Sequence, residues 1–121
     1  MKYACLIYGD ESDKSASPEP GMPGFEEMMG GYMAFSAAVE EAGVYVAGEP
    51  LEDTNTATSV RLRGGDILTT DGPFAETKEQ LGGFYLLDVE NLDDAIEAAA
   101  QIPSARSGRV EIRPLIVFDD M

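Results

Sequence analysis

The sequence predicts an α+β fold, and three observations carry that prediction. Short apolar runs that suit strands alternate with two longer stretches of helical spacing. Their order is strand, helix, strand, hairpin, strand, helix, strand. The chain has 121 residues, which suits one domain with a core of its own.

Each element has a local reason. Tyr3–Tyr8 (YACLIY) is apolar throughout and reads as a strand buried on both faces. Phe25, Met28, Met29, Tyr32, Phe35, Ser36, Val39 and Ala42 recur at helical spacing and predict an amphipathic helix over about Pro23–Ala42. Pro23 suits a first turn and Gly43 a left-handed stop. Gly30-Gly31 costs about 1 kcal/mol per residue relative to alanine, so a kink there or a start after Pro23 is expected. Val44–Gly48 is a second strand. Thr58–Arg63 and Asp66–Thr70 flank Gly64-Gly65, a two-residue hairpin signal. Gly83–Val89 is again apolar on both faces. Asn91 caps a helix whose stripe is Leu92, Ala95, Ile96, Ala99 and Ile102, and Pro103 closes it. Arg109–Phe118 is the last strand.

This order is the split βαβ, ferredoxin-like plan with a hairpin inserted at its centre. Two helices cover one face of a four-stranded sheet, yet two of the strands are apolar on both faces. A two-fold dimer with sheets face to face is the expected cover. The alternative is a monomer whose hairpin folds back over the sheet.

Composition bounds function. Eight basic against 23 acidic residues give a net charge of −15, which repels phosphate backbones and argues against nucleic acid as a partner. With no histidine and one cysteine, His-based nucleophile pairs and His or thiolate zinc sites have no residues to build them. The six-residue apolar run near the start is too short for a signal or a membrane span. A cytoplasmic protein without disulfide, membrane anchor or cofactor is expected.

The densest motif is Thr70–Leu87, TDGPFAETKEQLGGFYLL. Asp71-Gly72-Pro73 is turn chemistry and Phe74 an apolar anchor behind it. Glu76, Lys78 and Glu79 place two carboxylates and an ammonium within four residues. Gly82-Gly83 opens a strand where a close approach is needed. The stretch resembles the DGPF-domain group of the YCII-related family, within the dimeric α+β barrel superfamily. The likeness extends to MKYACLIYGDE, AGVYVAGEPL and IPSARSGRVEIRPL, and so to nearly the whole chain outside Ser12–Gly24. It implies a single domain over 1–121 with the ferredoxin-like dimeric fold. It also implies an association with sigma factors of the extracytoplasmic-function type, and hence a regulatory protein partner. Some branches carry a His–Asp pair proposed for acid–base chemistry, which a chain without histidine cannot reproduce.

The candidate site follows from these residues. Asp71 and Glu76 are the candidate acid–base carboxylates. Arg109, Glu111 and Arg113 alternate with Val110 and Ile112, so the charges share one strand face. Lys78 and Arg113 can hold a small anion, Tyr8 and Tyr85 can donate hydroxyls, and Phe74 and Glu111 complete a cleft beside the DGPF loop. The plainer readings are an ion pair of Glu111 or Arg113 with the loop, a turn-forming role for Asp71, an inert buried Cys5, and packing roles for Met28, Met29 and Met33. Arg61 and Arg63 read as a solvated hairpin face. Asp10, Glu11 and Asp13 lack the spacing of a calcium loop. Three functions remain open: a small-molecule-binding protein with carboxylate chemistry, a protein-interaction module, and a dimeric scaffold.

Overall fold

The computed structural model describes residues 1–118. Strand β1 spans Lys2–Gly9, helix α1 Phe25–Glu41, β2 Tyr45–Pro50, β3 Thr58–Arg63, β4 Asp66–Asp71, β5 Gln80–Asp88, α2 Leu92–Ala99, α3 Ser104–Ser107 and β6 Arg109–Pro114. β2, β5, β1 and β6 form an antiparallel sheet in that order, and β3–β4 is a separate hairpin. This is the ferredoxin-like α+β plan with its inserted hairpin.

Alternation along β1 decides the layers. Cys5 and Ile7 point to the helices and join Phe35 and Val39 of α1, Leu87 of β5, and Ala99 and Ile102 in one buried core. Ala4, Leu6 and Tyr8 point the other way. Across the sheet they meet Leu86, Phe84 and Leu81 of β5, and Arg113, Glu111 and Arg109 of β6. That second face carries no helix. Cys5 is fully buried, and burial pushes its thiol pKa up, as expected of an inert core residue.

Several boundaries differ from expectation. Helix α1 begins at Phe25 and runs unbroken through Gly30-Gly31. A Cβ on Gly31 would lie 2.9 Å from the Pro103 ring, so this glycine serves the approach of the α2–α3 connection rather than a break. Pro103 precedes an unforeseen helical turn, α3. β5 starts at Gln80, three residues before the expected Gly83. β6 ends at Pro114 and not Phe118, because its partner β1 runs out. Leu115 donates its N–H to Lys2 at 2.9 Å, and no strand follows among the described residues. The hairpin turn is as read: Gly64 and Gly65 have φ of 57° and 84°, which glycine adopts without steric cost. Asn91 caps α2 by accepting from the Asp94 N–H at 2.9 Å. No helix among the described residues is long and apolar enough to cross a membrane.

Candidate functional site

A cleft of about 410 Å³ opens between α1 and the β2–β5 edge of the sheet. Met28, Tyr32, Ser36 and Glu40 recur every fourth residue on α1 and line one wall. Their stripe adjoins the core stripe of Phe35 and Val39. Tyr45, Gly48 and Glu49 of β2, with Gly83, Phe84 and Tyr85 of β5, supply the opposite wall. A Cβ on Gly48 would stand 2.7 Å from the Tyr85 ring, so glycine is what lets that ring lie over β2. The ring is held edge-on by Phe35, with centroids 4.9 Å apart, and by Tyr45 at 6.5 Å. Its hydroxyl shares a 2.9 Å hydrogen bond with Ser36.

Tyr32 hydrogen-bonds Ser104 of α3. Burial pushes its phenol pKa up, partly opposed by that bond, so the hydroxyl keeps its proton. The far rim is tied by Glu11, whose N–H donates to Gln80 Oε1 at 3.0 Å. Its carboxylate accepts from the Thr54 N–H at 3.2 Å and from the Thr54 hydroxyl. Asp10 and Asp13 in the adjoining loop accept from Ser12 and Ser15, which hold both carboxyls below their ordinary values.

The eight residues predicted from sequence lie in three places. Tyr85 lines the main cleft. Tyr8 and Glu111 line a shallower depression of about 330 Å³ with Glu79 and Arg109 on the helix-free face, where Arg113 lies further along β6. Asp71, Phe74, Glu76 and Lys78 belong to the hairpin end and the loop after it, and line neither depression. Phe74 is 91% exposed, so it does not anchor the turn. The loop is fastened instead by the Gly72 N–H donating to Ala57 at 2.7 Å and the Ser59 hydroxyl donating to Gly72 at 3.0 Å. The ion pair joining this segment to β6 is Arg109 with Glu79 at 2.7 Å, in place of one between Glu111 or Arg113 and Glu76 or Lys78.

Tyr32, Ser36, Glu40, Tyr45 and Gly48 were not singled out from sequence. The available signal was Ser36, a hydroxyl within an apolar helical stripe, paired by topology with the Tyr85 strand.

A YCII-related domain model matches residues 1–119. The chain belongs to the YCII-related family. An uncharacterised protein of Rhizobium meliloti (strain 1021) is 40% identical over 121 residues, covering 98% of this chain and 94% of the relative. The likeness thus runs end to end on both proteins. It takes in the whole sheet and both walls of the cleft.

Proposed function

We propose that this YCII-related protein binds a small polar molecule with an apolar body in the α1–β2–β5 cleft. The observation that carries the proposal is the meeting of an aromatic wall with convergent hydroxyls at Tyr32, Ser36 and Tyr85. The Gly82-Gly83 end of the DGPF stretch borders this cleft, whereas Lys78 and Arg113 stand outside it. The polar part of the expected ligand therefore has support in the lining, and a dedicated anion clamp has none there. Proton transfer by Asp71 or Glu76 enters the proposal only through a second copy that brings them to a cleft.

A homodimer belongs to the same proposal. Its motive is the helix-free face of Ala4, Leu6, Phe84 and Leu86, an apolar patch rimmed by Arg109, Glu111 and Arg113. A cytoplasmic location fits the single buried cysteine. The second reading is a protein-interaction module, including a regulatory partner of the sigma-factor type. It is favoured by the hairpin, where Val60, Leu62 and Ile67 share an exposed face, and by Phe74 beyond it.

A thermal-shift screen of small carboxylic acids, amines and alcohols on the wild type, Tyr85→Phe and Arg113→Ala separates these readings. Ligands of the cleft are expected to lose about tenfold in affinity with Tyr85→Phe, the worth of one hydrogen bond to a bound polar group, and nothing with Arg113→Ala. The reverse order would move the site to the helix-free face.

A further inference from the structure

The charges around the cleft bear on what kind of molecule enters it. Glu40 of α1, Glu52 and Asp53 of the loop after β2, and Glu11 after β1 line it, and no lysine or arginine does. Glu49 of β2 borders it too, but its pairing with Phe84 puts its side chain on the helix-free face. Lys14 stands at one rim, where it donates to the Glu11 carbonyl at 2.9 Å and pairs with Glu19 at 2.9 Å. It offsets the Glu11–Asp53 end. Among the described residues, Glu40 and Glu52 have no ion-pair partner. A cleft with low-dielectric walls focuses that negative potential on its interior, and an anion entering it is repelled.

The rings add a second, independent preference. Tyr32, Tyr45 and Tyr85 all line the cleft, and Tyr45 and Tyr85 meet at an interplanar angle of 71°. Aromatic faces attract organic cations through their quadrupole, and a set of differently tilted rings offers such faces in more than one direction. Met28 and Met29 add an adaptable apolar wall. The carboxylates come from separate elements, and no group of three or more among the described residues is arranged to hold a metal ion. Dispersed carboxylates with aromatic faces suit a bulky, weakly hydrated cation better than a small hard one.

We propose that the cleft selects an organic ammonium ion, a selection that rests on the cleft being the binding site. The tyrosine rings and the Glu40 and Glu52 carboxylates hold its cationic head, and Met28 and Met29 its apolar body.

Calorimetric titration at low salt with phenethylamine, phenethyl alcohol and phenylacetate tests this, with amide shifts of Ser36 and Gly48 locating each probe. The amine is expected to bind at least about tenfold more tightly than the other two, and Glu40→Gln/Glu52→Gln to weaken it about tenfold. Asp93→Asn/Glu97→Gln removes the same charge from exposed positions on α2 and is expected to change binding by less than about twofold. Equal or tighter binding of the alcohol or phenylacetate at these amides overturns the cation class and leaves the cleft reading standing. Equal weakening by both double variants overturns selection by the cleft carboxylates. Absence of any amide shift at Ser36 and Gly48 with all three probes overturns the cation class and the cleft reading together.

Discussion

Gly48 shows how one residue can shape the cleft. Its missing side chain leaves room for the Tyr85 ring, and the adjacent Phe84 carbonyl would stand 3.1 Å from an added Cβ. Gly48→Ala is expected to destabilise the fold by about 1–3 kcal/mol, the usual cost of overpacking. It should also displace the Tyr85 hydroxyl from Ser36, read as a change in tyrosine fluorescence alongside the denaturation midpoint. At this scale the sequence was least legible. Tyr85 was read as a site residue, but Gly48 sat unremarked in a strand, because its demand for space arises from a ring on a neighbouring strand 37 positions later. Asp71, Glu76 and Lys78 were read as a site because they are close in sequence. The hairpin end holds them away from both depressions.

At the scale of elements, local chemistry was readable wherever it was self-contained. Asn91 supplies the cap its sequence position announced, satisfying an otherwise unpartnered N–H at the start of α2. Asn91→Ala is expected to cost about 1 kcal/mol in a denaturation experiment, and Asn91→Asp much less. Gly64-Gly65 likewise makes the turn its spacing demands. Boundaries set by partners were not readable. β6 stops where β1 stops, and α1 continues through its two glycines, one of which leaves room for the Pro103 ring. The hairpin β3–β4 was legible as a hairpin but not as an arm. Its residues lie almost entirely at the surface, with Ile67 74% exposed, and an isolated two-stranded unit gains little stability from its own burial.

For the whole molecule, the strand and helix order was enough to foresee the sheet, and the two-faced strands foretold the helix-free apolar face. If that face joins two copies, sedimentation equilibrium will give twice the 13.0 kDa chain mass, and Leu6→Glu, placing a charge between Phe84 and Glu111, will return it to one. A wild-type monomer at micromolar concentration would contradict the dimer while leaving the cleft intact. The most direct test of the cleft as the functional site is a chemical-shift map recorded while a panel of small polar molecules is titrated into the labelled protein. The predicted result is saturable shifts at Tyr32, Ser36, Gly48 and Tyr85, with Asp71–Lys78 unmoved. Saturable shifts confined to Asp71–Lys78, or to Tyr8, Glu111 and Arg113, would contradict it.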